Sequence, residues 1–134
     1  MTYEQLQAAL AEYFAPWVQD LGLKVESFDT GVATLRLPQN ERLSRVGGML
    51  CGQAMMAAAD TAMVLALISQ FGQFRPCTTV QMSTSFLKPL SSQDALVEAR
   101  VIRAGKSLAF GEIDIRGAAD GKSACRASVT YALL

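Results

Sequence analysis

Two residues near the middle of the chain have the types and spacing to support chemistry. Asp60 is the only charged side chain between Arg45 and Arg75, in a segment that is otherwise apolar, small or uncharged. An ionised carboxylate in such surroundings is unfavourable unless it is paired or used in a reaction. Gly52 precedes it near the expected start of the same helix, where free backbone N–H groups can bind a developing negative charge. The pair indicates an enzyme.

The spacing of Gly52 and Asp60 constrains how they would work together. Eight residues of α-helix rise about 12 Å, which is too far for both groups to contact one reacting carbonyl. If two copies pack with these helices antiparallel, Asp60 of one copy approaches the helix start of the other, and two-fold symmetry gives two equivalent sites. We therefore expect a homodimer, or a dimer of dimers.

The composition limits the classes of function. The 134 residues suffice for one domain. Lys plus Arg and Asp plus Glu both number 12, so we expect neither nucleic acid nor a membrane surface as a partner. Residues 1–20 carry no basic side chain and do not resemble an export signal, which predicts a cytoplasmic protein.

The absence of histidine excludes several mechanisms. A Ser-His-Asp triad, a Cys-His pair and a His-ligated catalytic metal all need an imidazole. Cys51, Cys77 and Cys125 lack metal-ligand spacing, and their odd number fits a reduced compartment. We therefore expect no metal or redox cofactor, and any acid or base near neutral pH would be a carboxylate, a thiol or water.

The N-terminal third predicts a helix and a hairpin. Residues 1–20 show apolar side chains at roughly helical spacing after a possible capping box of Thr2 and Gln5, so we expect a first helix there. Apolar runs on both sides of the turn-like residues 29–31 predict a hairpin. Residues 38–48 are polar and are expected to form a surface loop.

The longest apolar segment predicts a buried central helix. Residues 50–71 lack proline and stop at Gly72, and would span about 33 Å as a helix. A helix that is apolar nearly all round belongs in a core or a membrane, and strand-like sequence on both sides favours the core. Alternating runs then predict an antiparallel meander over residues 78–87, 95–103, 107–116 and 122–134. This order of predicted helices and strands indicates one α+β domain over residues 1–134, with an antiparallel sheet wrapped around the central helix.

Three motifs resemble those of a known family. Residues 48–53 read Gly-Met-Leu-Cys-Gly-Gln, and Asp60 follows Cys51 by nine residues. Residues 79–89 end in Phe-Leu-Lys-Pro, and residues 105–107 read Gly-Lys-Ser. In this order they resemble the hotdog-fold acyl-CoA thioesterases of the phenylacetate-pathway and 4-hydroxybenzoyl-CoA type. The resemblance implies a hotdog fold and hydrolysis of a thioester of coenzyme A or of an acyl carrier.

The resemblance also implies roles for three residues. Gly52 would supply the backbone N–H that polarises the thioester carbonyl. Asp60 would be the general base or the nucleophile, and Thr79 would help to hold the attacking water. One such backbone donor typically contributes about 3 to 4 kcal/mol of transition-state stabilisation.

The chain departs from the family pattern at three positions that we expect to contact the substrate. Cys51 replaces the motif histidine, Gln53 replaces its second glycine, and Arg45 stands where an Asn or Gln is usual. Arg45 would either pair with Asp60 across a dimer, which would weaken that base, or bind an anionic part of the substrate. Cys51 could be a nucleophile near a helix start, but without an imidazole a small apolar plug is the better interpretation.

Other side chains are candidates for holding the rest of the substrate. Lys88, Arg103 and Lys106 could gather at the mouth of a pocket and bind the phosphates of coenzyme A, although surface solubility explains them equally well. Met56 could line an adaptable acyl pocket, but methionines on such a helix are more often core. The expected partner is a small-molecule acyl-CoA, which is a substrate rather than a cofactor.

The same residues allow other interpretations. Asp60 could be a structural carboxylate hydrogen-bonded to Thr61 or to a neighbouring chain, and Gly52 could serve only close packing. The alternative function is a non-catalytic acyl-CoA binding or sensing module on the same fold, and a third is a purely structural oligomer. Release of free thiol from acyl-CoA would separate the enzyme from the module.

Overall fold

The computed structural model describes residues 1–134 and confirms the α+β architecture, with one six-stranded antiparallel sheet packed on a long helix. A 3₁₀ turn at Glu41–Leu43 and a separate two-stranded ladder precede that helix. In chain order the helices and strands are α1 (Tyr3–Glu12), α2 (Pro16–Gln19), β1 (Lys24–Asp29), β2 (Val32–Leu37), β3 (Ser44–Arg45), β4 (Met49–Leu50), α3 (Gly52–Phe71), β5 (Cys77–Phe86), β6 (Ala95–Ala104), β7 (Leu108–Gly117) and β8 (Ser123–Leu133).

The N-terminal segment forms two helices where one was predicted. The capping box is present, because the Gln5 N–H donates to the Thr2 hydroxyl at 3.1 Å and the Thr2 N–H donates to the Gln5 side chain at 2.9 Å. The helix stops at Glu12, and a second one starts at Pro16. Proline disfavours the α conformation in the residue before it, and Ala15 is accordingly extended with ψ of 149°. The predicted helix is therefore divided at residues 13–15.

The central helix begins two residues later than predicted. Met49–Leu50 pairs with Ser44–Arg45 in the short ladder of β3 and β4, which leaves Gly52 as the first helical residue. The helix ends at Gly72, whose φ of 76° is a left-handed conformation that glycine adopts without strain. By length and composition α3 could cross a membrane, but 67% of its most apolar window is buried inside the domain. That burial is typical of a core helix.

The order of the strands differs from a simple meander. The sheet order is β1-β2-β6-β7-β8-β5, with every neighbouring pair antiparallel. The first hairpin and the run from β6 to β8 agree with the prediction, but β5 lies beyond β8 instead of beside β6. Residues 87–94 make this crossing at the end of the sheet, where the Leu50 N–H donates to the carbonyl of buried Leu90 at 2.9 Å. One edge of β5 is therefore unpaired.

A glycine on β7 leaves room for a buried methionine of the central helix. Met63 of α3 is fully buried and packs against Gly111 of β7, where an added Cβ would overlap the Met63 thioether. Any larger residue at Gly111 would push the helix or the methionine away. Met63 lies three residues after Asp60 and so on the neighbouring turn of the helix.

Candidate active site

The carboxylate of Asp60 is half-buried and bound by two hydroxyl groups. The Thr79 hydroxyl donates to Oδ1 at 2.8 Å. The Tyr131 phenol lies against the same Oδ1 and is 2.8 Å from the backbone oxygen of Asp60. Thr79 and Tyr131 are register partners on β5 and β8, so their side chains project from one face of the sheet. No Lys or Arg lies within salt-bridge distance of Asp60.

Thr61 is not a partner of this carboxylate. Its hydroxyl donates to the Ala57 carbonyl at 2.8 Å, one turn earlier in the same helix. The interpretation of Asp60 as a structural acid bound to Thr61 therefore finds no support, and the hydroxyls that hold Asp60 come from the sheet instead.

Asp60 lines a cavity of about 290 Å³ between α3, the start of β5 and the N-terminal helices. Tyr13 and Phe74 stack in its wall with ring centroids 3.9 Å apart. Burial, followed by the charge of Asp60, raises the pKa of the Cys77 thiol, which also lines the cavity. The apolar wall is made by Tyr13, Phe14, Trp17, Val18, Ala57, Val64 and Phe74. An apolar group could therefore lie beside the carboxylate.

Gly52 lies in a different cavity from Asp60. As the first residue of α3, it has an N–H without an acceptor inside the helix. It lines a cavity of about 320 Å³ together with Arg45 and Lys88. Arg45 is exposed, and its guanidinium lies 3.3 Å from the sulfur of Met49 rather than near Asp60. A single protomer does not bring Gly52 and Asp60 together.

The two other motif substitutions line a third cavity, of about 280 Å³, which also includes Trp17. Cys51 is the half-buried N-cap residue of α3 and makes no side-chain capping bond, whereas Gln53 is exposed. Trp17 lines both this cavity and the Asp60 cavity, so it lies between them. Met56 is 39% exposed and lines none of the three cavities.

The three cations predicted to bind phosphate do not gather within one protomer. Lys88 lies in the Gly52 cavity and pairs with Asp120 at 3.2 Å. Arg103 and Lys106 are exposed at the β6–β7 hairpin and line a separate cavity of about 260 Å³. The separation arises because Lys88 follows the last residue of β5, while the β6–β7 hairpin lies at the opposite end of the sheet, where β5 begins. A shared phosphate site would need groups from two protomers.

Two features of the site were not identified from the sequence. Tyr131 is 2% exposed, and its phenol contacts Asp60. The alternation of Val129, Tyr131 and Leu133 does indicate inward-facing side chains, and a buried phenol requires a hydrogen-bond partner, but neither signal names Asp60 as that partner. The aromatic wall was missed because it depends on how residues 13–17 fold back over α3 and meet Phe74.

Sequence and structure comparisons identify the family. A sequence model described as Thioesterase superfamily matches residues 47–124. The chain belongs to the thioesterase superfamily. A candidate esterase of Saccharolobus solfataricus is 33% identical over 103 residues, which are 77% of this chain and 66% of that protein. A mutant thioesterase from Pseudomonas aeruginosa has a TM-score of 0.86 at 26% identity, covering 100% of this chain and 94% of that one.

The predicted hotdog fold is confirmed by these superfamily neighbours. A hypothetical thioesterase protein of Streptococcus pneumoniae, whose structure is with coenzyme A, shares the fold at a TM-score of 0.76 and 18% identity, covering 84% of this chain and 85% of that one. Membership of the thioesterase superfamily and the name of the Saccharolobus relative support a thioesterase or esterase activity.

Proposed function

We infer that this protein hydrolyses an acyl thioester of coenzyme A or of an acyl carrier. The observation that carries the inference is the Asp60 carboxylate, which lines an apolar cavity, accepts a hydrogen bond from Thr79 and has no counter-ion. The carboxylate either takes a proton from water as the water attacks the thioester carbonyl, or attacks that carbon itself. In the first route the carbon–sulfur bond breaks, the thiol leaves with a proton, and the acyl group becomes a carboxylic acid. In the second route, departure of the thiolate leaves an acyl anhydride on Asp60, and water then hydrolyses that anhydride to the carboxylic acid and the free carboxylate.

A second copy of the chain would complete the site. Gly52 and Asp60 are separated by roughly 12 Å along α3, so the N–H of Gly52 and the carboxylate cannot both reach one carbonyl within a chain. An N–H at a helix start is well suited to stabilise the oxyanion of the tetrahedral intermediate. We therefore place Gly52 of one protomer opposite Asp60 of its partner in a homodimer, or in a dimer of dimers.

The free edge of β5 is where the second copy would join. This strand has no neighbour on one side, and Val80 and Phe86 are 58% and 50% exposed. An unpaired edge of this kind pairs readily with another strand. Thr79, which donates to Asp60, lies on the same strand. Pairing of two β5 edges would bring each carboxylate close to the interface, where the partner's helix start can approach it.

The size and charge of the cavities favour a small acyl group on coenzyme A. The Asp60 cavity of about 290 Å³ lies just below the roughly 300–1,000 Å³ typical of ligand pockets. Arg103 and Lys106 are exposed cations beside a separate cavity and would bind phosphate oxygens. The streptococcal structure with coenzyme A on the same fold supports this ligand. Lys88 and Arg45, beside Gly52, would then approach from the other protomer.

Release of free thiol from a panel of acyl-CoA esters tests the proposal. We expect turnover by the wild-type protein and a loss of about 10²–10⁴-fold in kcat for Asp60→Asn, because the variant keeps the shape but loses the base. The matched control is Glu112→Gln, an exposed carboxylate on β7 outside the cavity, which should keep wild-type turnover. Binding of acyl-CoA without release of thiol would contradict the hydrolase proposal and favour a non-catalytic binding module.

A further inference from the structure

We propose that Tyr131 is a positioning residue that holds one carboxylate oxygen of Asp60 and leaves the other free for the reacting groups. Its effect on turnover rests on the proposed hydrolase function, whereas the contact with Asp60 does not. The residue lies on β8, the strand between β5 and β7 in the sheet. It acts on the reaction through Asp60, and not by contact with the thioester.

Both donors to the carboxylate converge on one oxygen. The hydroxyl of Thr79 and the phenol of Tyr131 lie against Oδ1, and no hydrogen bond within the chain ends on Oδ2. The donors come from neighbouring strands in direct register. Rotation of the carboxylate would break two hydrogen bonds to an ionised group at once, so the group is locked in one orientation. Oδ2 is then the oxygen left for water or for the carbonyl carbon.

The phenol is also tied to the backbone of the helix. Its oxygen lies 2.8 Å from the carbonyl of Asp60, and the ring is 2% exposed. If the carboxylate takes up a proton or forms an acyl intermediate, the phenol can turn its proton to that carbonyl. The buried hydroxyl of Tyr131 thus has a hydrogen-bond acceptor whether Asp60 is ionised, protonated or acylated, and the ring does not need to move.

The phenol stays a donor across the working range of pH. Burial, followed by the charge of Asp60, raises the pKa of Tyr131 above its usual range. The other titratable side chains of the cavity are Cys77 and Tyr13, and burial is the main reason that the pKa of each is raised as well. None of these three ionises in mildly acidic solution. Tyr131 therefore keeps the proton that it donates to Asp60.

Tyr131→Phe removes one oxygen atom and keeps the buried ring. We expect kcat to fall about tenfold with KM within about twofold of wild type, because the lost bond is to a charged group and the cavity wall is retained. Tyr3→Phe, which alters a phenol 46% exposed in α1, is the matched control and should change neither quantity. A folded Tyr131→Phe protein with wild-type kcat would overturn the proposal.

A second measurement does not depend on activity. In proton NMR the phenolic hydrogen of Tyr131 should give a downfield, slowly exchanging resonance that is missing from Tyr131→Phe and displaced in Asp60→Asn. The same frequency in wild type and Asp60→Asn would refute the contact, even if Tyr131→Phe failed to fold. If the resonance is displaced but the protein hydrolyses no thioester, the proposed function is wrong. The hydrogen bond from Tyr131 to Asp60 would still be supported.

Discussion

Replacing Gly52 with proline tests whether its backbone N–H takes part in turnover. Gly52 is the first residue of α3, where the fixed φ of proline suits a helix and its missing N–H breaks no helical bond. Gly52→Ala is the matched control, because it keeps the N–H and adds a Cβ that would meet the Phe86 ring at 3.2 Å. We expect kcat to fall about 10²–10³-fold for proline, the typical effect of losing one oxyanion donor. The alanine variant should show only the much smaller steric loss.

Mixed dimers then test which chain supplies each group. A dimer of one Gly52→Pro chain and one Asp60→Asn chain has one site with both defects and one intact site, if each site takes the two groups from different chains. Random refolding of an equimolar mixture makes half of the dimers mixed, with one of their two sites intact. About a quarter of the wild-type activity should therefore return, although each parent alone is almost inactive.

Thiol release from an acyl-CoA ester, measured before and after co-refolding, is the assay for this experiment. Refolding each variant by itself under the same conditions is the control and should restore nothing. If the mixture stays inactive while both variants fold and dimerise, then Gly52 and Asp60 do not meet across the two-fold axis. That outcome would remove the two-chain site from the mechanism.

Three further predictions concern stability and reactivity. Gly111→Ala should lower the free energy of unfolding by about 2 kcal/mol, because the added Cβ would overlap the buried Met63 side chain. Urea titration of Gly111→Ala, Met63→Ala and the double variant should show that the effects of the two substitutions are not additive. Hydrogen bonds led by the Lys122 N–H lower the pKa of Asp120 from 3.8 to about 2, so this carboxylate stabilises the folded state until it takes up a proton. The free energy of unfolding of the wild type should therefore fall between pH 4 and pH 2, and it should fall less in Asp120→Asn. Urea titrations across that pH range measure the difference. Cys125 is fully buried, and burial, followed by the charge of Asp114, raises the pKa of its thiol to about 11. Iodoacetamide at pH 8 should therefore leave Cys125 unlabelled in the native protein. Peptide mass spectrometry measures the labelling, and early labelling of Cys125 would contradict the prediction.

Elements with local signals were predicted closely. The capping box at Thr2 and the turn at residues 29–31 each depend on side chains a few positions apart, and both are present in the structure. The central helix ends at the predicted Gly72 because glycine takes the left-handed conformation there. The break before Pro16 was also a local signal, and the helical periodicity of the surrounding apolar residues concealed it.

Features that depend on distant parts of the chain were not predictable in the same way. The position of β5 beside β8 is set by the crossing of residues 87–94 and by the pairing of strands far apart in sequence. The contact of Tyr131 with Asp60 joins residues 71 positions apart, so neither residue's neighbours indicate it. Asp60 and Thr79 were proposed together by family resemblance, and their bond of 2.8 Å places both at one cavity, whereas their catalytic roles remain predictions.

The chain contains a single tryptophan, Trp17, which is 63% exposed and forms part of the wall of two adjoining cavities. Indole emission responds to the polarity around the ring, so an apolar molecule that displaced water from either cavity would shift the fluorescence of the unlabelled protein. No other residue contributes indole emission, and a change in the spectrum can be assigned to this position without engineering a probe. The protein thus carries its own optical reporter of cavity occupancy, suitable for screening small molecules by simple titration.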